Sequence, residues 1–218
     1  GQFKDASDLL PIPNINTACV KACDYDKDGD IDLFIGGKSI THQYPLPEVS
    51  FLLRNDTKNK QIKFTKIDAP FNALKVITSD ALWSDVDSDG WVDLIIVGDY
   101  SEIIVYRNIK SGFERMKNTG LEGIYGIWNS INGNDIDNDG DIDYIVGNYG
   151  QNSLIKASEA FPFTIYSKDF DNNSAYDFIP TTFWKNQAGK MIETPYHVKG
   201  DLIKELIAFR KKFVSYSK

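Results

Sequence analysis

A β-propeller, an all-β fold made of four-stranded blades, is predicted by two features that recur along this sequence. The first is an acidic stretch, which appears as DYDKDGDID, DVDSDGWVD and DIDNDGDID and in altered form as DFDNNSAYD. The second is a short apolar run after each stretch, as in LFIGG and LIIVGD. Units that recur every 20–50 residues or so are typical of repeat architectures, and four-stranded units of about 50 residues are propeller blades.

The acidic stretches are called loops 1 to 4 here (residues 24–32, 85–93, 135–143 and 169–177), with positions numbered 1 to 9 in each. The segments that flank them have strand lengths, and the β-branched residues after each loop favour strands. Further strands are predicted at SFLLRN and IKFTKID in the first unit, and at EIIVYRN and GFERMK in the second. A β-sandwich with irregular insertions is the nearest alternative. It would not place an acidic loop at the same point of every unit.

About four blades are expected, as an arc of a larger propeller or as a small closed ring. The segment QFKDAS near the N-terminus is predicted to be a fourth strand, and the last unit shows three. Pairing of these two segments would close a ring without an exposed sheet edge.

Residues 1–199 are assigned to the blades, and residues 200–218 to an amphipathic helix. Asp201 is the predicted N-cap. Two patterns support the helix. The first is an apolar stripe of Leu202, Ile203, Leu206, Ile207 and Phe213, and the second is a basic C-terminal end of Arg210, Lys211 and Lys212. Packing on the blades is preferred over a membrane-surface role.

Composition limits the classes of partner. The 218 residues are 42% hydrophobic, which is enough for a sizeable core, and the net charge of −7 argues against nucleic acid and anionic membranes. No apolar run approaches the length of a membrane span. The opening GQFKDAS has no initiator Met and no signal sequence, so the chain is expected to be part of a longer polypeptide. Cys19 and Cys23, about 13 Å apart on a strand, are too distant for a disulfide.

Crowded carboxylates repel one another unless a cation lies between them. Calcium binds six to eight oxygen atoms in irregular geometry, and the loop pattern supplies such atoms. Carboxylates come from positions 1, 3, 5 and 9, a backbone carbonyl from position 7, and the glycine at position 6 permits the turn. The predicted ligands are Asp24, Asp26, Asp28, Asp30 and Asp32; Asp85, Asp87, Asp89, Trp91 and Asp93; Asp135, Asp137, Asp139, Asp141 and Asp143; and Asp169, Asp171, Asn173, Ala175 and Asp177.

Three calcium sites are therefore predicted, and the fourth is expected to be weaker or empty. In loop 4, Asn173 replaces a carboxylate and Ser174 replaces the glycine. An EF-hand is excluded because it needs Glu at position 12, where this chain has Ile35, Ile96 and Val146.

The loops and their DGDIDL ending resemble FG-GAP/VCBS repeats, which also form the heads of integrin α-subunits. The stretches TSDALWSDVDSDGWVDLIIVGDY and WNSINGNDIDNDGDIDYIVGNYGQNS are similar to bacterial proteins of the cartilage-acidic-protein type. The resemblance implies structural calcium and a binding or adhesion scaffold that is secreted or on the cell surface, with the periplasm as the alternative location. It also implies a glycan or protein ligand.

A ligand surface is predicted opposite the loops, formed by Trp128, Asn148, Tyr149, Gln151 and Asn152. Trp83 and Trp128 are expected at equivalent places on the first strands of their units. The alternative interpretation is that the Trp residues pack between blades and the Asn residues cap turns.

No enzyme activity is predicted. His42 and His197 are far apart in sequence, and none of the common catalytic motifs appears. The alternatives to a binding module are a propeller enzyme acting on carbohydrate and a structural spacer of a larger surface protein.

Overall fold

The computed structural model describes residue 2, residues 5–150, residue 153 and residues 155–206, and most of its regular structure is antiparallel β-sheet. The chain forms two compact units, residues 1–40 with 46–148 and residues 41–45 with 149–218. Among the described residues, no helix is long and apolar enough to cross a membrane.

The first unit begins with a meander of four strands, which are paired in chain order. They are β1 (Thr17–Cys23), β2 (Asp32–Gly37), β3 (Phe51–Asn55) and β4 (Phe64–Ile67). The next four strands repeat this order: β5 (Ile77–Ser84), β6 (Asp93–Ser101), β7 (Ile104–Asn108) and β8 (Phe113–Arg115). Loops 1 and 2 join the first and second strands of these meanders, as the sequence predicts.

Loop 3 joins β9 (Gly126–Asn134) to β10 (Asp143–Asn148), and the start of β9 also pairs with the end of β6. The first strands of the three repeats are neighbours, because β5 contacts both β1 and β9. This arrangement is expected where consecutive blades place their first strands side by side.

The second unit contains a three-stranded antiparallel sheet, with loop 4 between its first two strands. Its strands are β11 (Thr164–Lys168), β12 (Asp177–Lys185) and β13 (Met191–Pro195), followed by α1 (Lys199–Glu205). The three strands before the helix agree with the sequence prediction.

The middle sheet of the first unit is buried on both faces, which explains the continuous apolar run at residues 94–97. Leu94 and Ile96 lie in a core cluster with Phe34, Leu52 and Phe71 of the first meander. Side chains alternate between the faces of a strand, and the intervening members of this run join another cluster. That cluster consists of Ile95, Val97, Val105 and Ile131.

The outer face of the first sheet is covered by the N-terminal segment. Ile35, Phe51 and Leu53 are buried there against Leu10, Ile12 and Ile15. The predicted N-terminal strand falls partly outside the described residues, which omit Phe3 and Lys4. Its described residues are not in a strand, because the Asp5 carboxylate accepts bonds from the Ser7 amide and hydroxyl and turns the chain.

The C-terminal helix starts one residue earlier than predicted, and Val198 rather than Asp201 is its N-cap. Asp201 lies in the first turn, and its carboxylate pairs with Lys204 Nζ at 3.1 Å. Leu202 and Leu206 are buried, as expected for an apolar face. Residues 207–218 lie outside the described part, so the predicted helix to residue 218 and its basic end stay predictions.

Both cysteines are free and half-buried on β1. Cys19 Sγ lies close to Gly36, where a Cβ atom would approach it to 2.8 Å. Gly36 therefore leaves the space that this thiol fills. Burial, with a smaller contribution from Asp80, raises the pKa of Cys19 to about 11.

Candidate metal-binding loops

All four loops adopt the same turn, with positive φ at positions 4 and 6. Position 6 is glycine in the first three loops, at φ +93°, +85° and +100° for Gly29, Gly90 and Gly140. Ser174 takes this place in loop 4 at φ +69°, within the left-handed region that L-residues rarely adopt. The loss of the glycine therefore leaves the turn intact but places a strained residue in it.

Backbone amides fix the carboxylates in a repeated pattern of hydrogen bonds. In loop 2, Asp85 accepts the amides of Asp89 and Gly90 at 3.1 and 2.8 Å, and Asp89 accepts the amide of Trp91 at 2.9 Å. The same three bonds recur at the corresponding positions of loops 1, 3 and 4. The loop backbone thus holds positions 1 and 5 in place before any cation binds.

The carboxylates of positions 1, 3 and 9 converge in each loop, with one oxygen per residue within 4.8 Å of the others. The groups are Asp24, Asp26 and Asp32; Asp85, Asp87 and Asp93; Asp135, Asp137 and Asp143; and Asp169, Asp171 and Asp177. Two oxygens that both contact calcium at about 2.4 Å can be at most about 4.8 Å apart. Spacing and hard oxygen chemistry therefore fit calcium, which would be held by these residues in each loop.

Position 5 does not belong to these groups. Asp28, Asp89 and Asp139 each commit an oxygen to the amide of position 7 instead. The roles predicted for the position 5 side chains and for the position 7 carbonyls, including that of Ala175, stay predictions.

The carboxylates of position 9 are buried in the first two loops, where Asp32 and Asp93 have no exposed surface. One oxygen of each accepts the amide of position 2 in its own loop. The other accepts the backbone amide at the end of the third strand, from Asn55 or Asn108, at 2.8 Å.

These two asparagines are functional residues that the sequence reasoning missed. Asn55 Nδ2 also donates to the carbonyl of Ile31, and Asn108 Nδ2 to that of Val92, so each binds the loop at positions 8 and 9. The pair Arg-Asn ends both predicted third strands, SFLLRN and EIIVYRN, and this repetition is the signal that could have identified them.

Loops 1 and 2 are also linked to each other. Asn108 Nδ2 donates to the Tyr25 carbonyl in loop 1 at 2.9 Å, while the Asn108 amide holds Asp93 of loop 2. Trp91 of loop 2 has the Lys27 ammonium 4.5 Å from its ring centroid and that of Lys110 at 5.6 Å. Calcium bound at one loop would therefore restrain residues of the other.

Burial and crowding raise the pKa of four loop carboxyls, a shift that a nearby cation would reverse. Burial raises the pKa of Asp32 to about 6 and also raises the pKa of Asp93. The pKa of Asp26 is raised by burial and by the charge of Asp28. A hydrogen bond and charge repulsion from Asp139 raise the pKa of Asp141. A divalent cation would favour the ionised forms of all four.

The structure brings together two of the five residues predicted for the ligand surface, Trp128 and Asn148. Trp128 is paired with Asn148 across β9 and β10, packs against the cluster that contains Ile95, and donates its indole N–H to the Ser101 carbonyl at 2.8 Å. Asn148 accepts the amide of Ile127. Tyr149 is 50% exposed, and Gln151 and Asn152 lie outside the described residues.

Trp83 and Trp128 do not occupy equivalent places, so that prediction is wrong. Trp83 pairs with Leu94 beside loop 2, whereas Trp128 pairs with Asn148 at the far end of β9. The residue of β9 that corresponds to Trp83 is Gly133. It pairs with Tyr144, which occupies the position of Leu94. Trp83 stacks on Tyr25 and donates its indole N–H to the Lys21 carbonyl, which is a packing role.

Comparison with known families agrees with the repeated loops. Residues 85–146, which contain loops 2 and 3, match the FG-GAP-like repeat. Repeats of this kind occur in extracellular adhesion-type proteins. Searches of curated proteins and of solved structures gave no significant match.

Proposed function

We propose that this chain is a calcium-stabilised extracellular module, built from propeller blades, which binds a glycan or a protein. The observation that carries the proposal is the repeated loop: four turns with the same hydrogen bonds, each bringing three carboxylates within 4.8 Å. Without a cation, each cluster destabilises the fold by charge repulsion. With calcium, the same cluster stabilises it.

Three strong sites and a weaker fourth site are proposed, because loop 4 has Asn173 and a strained Ser174. Extracellular calcium modules bind with dissociation constants of about 10⁻⁴–10⁻³ M, a range that suits a secreted or surface protein. The matching FG-GAP-like repeat supports this location. A bacterial origin of the module is proposed from the sequence resemblance alone.

Calcium should raise the thermal midpoint of unfolding, and EDTA should lower it. At about a hundredfold excess over the dissociation constant, each filled site contributes about 2.7 kcal/mol. Calorimetric titration should give three sites that each bind calcium more tightly than loop 4, and magnesium at the same concentration should stabilise less because it tolerates irregular geometry poorly. An identical midpoint in calcium and in EDTA would overturn the proposal.

The ligand surface is proposed to include Tyr149, whose side chain is half exposed. Trp128 is given a packing role instead, supported by its bond to Ser101 and its apolar neighbours. On a glycan and peptide array, Tyr149→Ala should weaken binding by about tenfold while leaving the thermal midpoint unchanged. Trp128→Ala should lower the midpoint. Equal binding by the wild type and Tyr149→Ala would remove Tyr149 from the surface.

The blades are proposed to form an arc rather than a closed ring. In a closed ring each blade face packs on a neighbouring blade. The outer face of the first sheet is instead covered by Leu10, Ile12 and Ile15, which supports the arc.

No catalytic role and no nucleic-acid partner are proposed. Within the described ranges, the groups of three or more side chains that could share an ion lie in the four loops, where the proposal gives them a structural role. The net charge of −7 opposes binding to phosphate backbones.

A further inference from the structure

A guanidinium group lies against loop 2. Arg107 Nε is 2.6 Å from Asp87 Oδ2, and Arg107 Nη2 is 3.5 Å from Asp89 Oδ2. These carboxylates belong to positions 3 and 5 of the loop. The side chain of Arg107 is 41% exposed and the side chain of Asp87 is 20% exposed, so the ion pair is partly shielded from solvent.

The first repeat contains a matching arginine with a different partner. Arg54 immediately precedes Asn55 on β3, just as Arg107 precedes Asn108 on β7. Arg54 Nε nevertheless bonds to Asp56 Oδ1 at 3.0 Å, and Asp56 is itself bonded by the Thr65 hydroxyl. No ion pair joins Arg54 to loop 1 among the described residues.

The residue after the asparagine accounts for this difference. In the first repeat this residue is Asp56, which places a carboxylate directly after Asn55. In the second repeat it is Ile109, which offers no charge and is 42% exposed. Without a competing acid at that point, the nearest carboxylates to Arg107 are those of the loop.

We propose that Arg107 is a built-in counter-cation of loop 2, which replaces part of the charge of a divalent ion and lowers the affinity of this loop for calcium. The inference rests on the proposed calcium function of the loops. Arginine keeps its charge at all relevant pH values, so the effect is permanent. A unit charge a few ångströms from a divalent ion at a partly exposed site weakens its binding by about tenfold.

Loops 1 and 2 therefore form a tight and a loose site, although both have the full set of carboxylates. Arg107 also reduces the repulsion among the carboxylates of loop 2 when calcium is absent. Loop 2 would stay formed at calcium concentrations at which its site is empty, while loop 1 depends more on the ion.

Trp91 at position 7 of loop 2 can sensitise terbium luminescence, and a signal from loop 1 is also expected because Lys27 of that loop lies 4.5 Å from the Trp91 ring. The variant Asp26→Ala removes a ligand of loop 1, so the terbium signal that remains in it and disappears in Asp87→Ala belongs to loop 2. Displacement of terbium by calcium then gives the calcium affinity of loop 2 in the complete chain.

Arg107→Gln should raise the calcium affinity of loop 2 by about tenfold and lower the thermal midpoint in EDTA. Arg107→Lys should keep most of the wild-type affinity, because the charge remains. Arg54→Gln is the matched control and should change the affinity of loop 2 by less than about twofold. Ile109→Asp, which recreates the acid of the first repeat, should raise the affinity as Arg107→Gln does without removing the arginine.

An unchanged affinity of loop 2 in Arg107→Gln, with a normal terbium signal, would overturn the counter-cation and leave the calcium function standing. A decrease in affinity would also overturn it, since Arg107 would then be a positioning residue for Asp87. Absence of any calcium-displaceable signal in the wild type would overturn the proposed function and this inference together.

Discussion

Loops 1 and 2 differ from loops 3 and 4 in how the carboxylate of position 9 is anchored. Asp32 and Asp93 are completely buried and accept amides from their own loop and from the third strand of their sheet. Asp143 and Asp177 are only half-buried. Each accepts the amide of position 2, and in the described part of the chain no third-strand asparagine donates to either.

The difference shows that one local motif can serve two structural purposes. The turn and the hydrogen bonds from its backbone amides are formed within the nine residues of each loop, and they are present in every copy. The link to the core depends on the third strand of the sheet. Loops 1 and 2 therefore belong to the core even without calcium, whereas the shape of loops 3 and 4 is expected to depend more on the bound ion.

The strongest test removes the anchoring carboxylate. Asp93→Ala leaves the buried amide of Asn108 and the half-buried amide of Val86 without an acceptor, so the free energy of unfolding in EDTA should fall by about 3 kcal/mol. Asp143→Ala is the matched change in loop 3 and should cost about 1 kcal/mol. Urea denaturation of both variants measures the difference. Equal losses would mean that the third strand adds nothing to the loop.

A second test breaks the link between the two anchored loops. Asn108 is 2% exposed, and Asn108→Ala removes the side-chain hydrogen bonds to the carbonyls of Tyr25 and Val92. The free energy of unfolding in EDTA should fall by about 2 kcal/mol. Asn55→Ala removes side-chain hydrogen bonds to Ile31 and Thr57, which lie within its own repeat, and should cost about 1 kcal/mol.

Calcium titrations separate the two roles of these asparagines. Positive cooperativity between loops 1 and 2 is expected in the wild type and in Asn55→Ala, but not in Asn108→Ala. If cooperativity survives in Asn108→Ala, the coupling passes through another contact, such as Lys27 on Trp91.

The smallest effect concerns the turn of loop 4. Ser174→Gly relieves a positive φ and should stabilise the loop by about 0.5–1 kcal/mol. Gly140→Ser makes the reverse change in loop 3, at φ +100°, and should destabilise it by about 1 kcal/mol or more. Amide hydrogen exchange at positions 5 to 7 of each loop measures both. Faster exchange in Ser174→Gly would show that the serine hydroxyl contributes more than its backbone strain costs.

The elements that the sequence predicts well are those with local causes. The alternation of Asp along loops 1 to 3 indicates carboxylates on one side of a turn, and the structure brings positions 1, 3 and 9 together. The apolar runs after the loops indicate strands, and the all-β fold agrees.

The features that the sequence did not predict depend on contacts between distant segments. Arg54 and Arg107 are both followed by an asparagine. The residue after that asparagine decides whether the arginine pairs with Asp56 or with Asp87 of the loop. Trp83 and Trp128 look equivalent by composition, but strand register, measured from the loop, separates them. Asp201 has the right residue type for an N-cap, yet the helix begins before it.

The space beneath Gly36 has a consequence for the redox chemistry of the module. With a pKa of about 11, Cys19 is a thiolate in roughly one molecule in ten thousand at pH 7. The thiolate is the form that attacks disulfides and reacts with oxidants. At the extracellular location proposed for this chain, Cys19 would thus stay reduced without a disulfide partner, because burial in the folded chain keeps its thiol protonated.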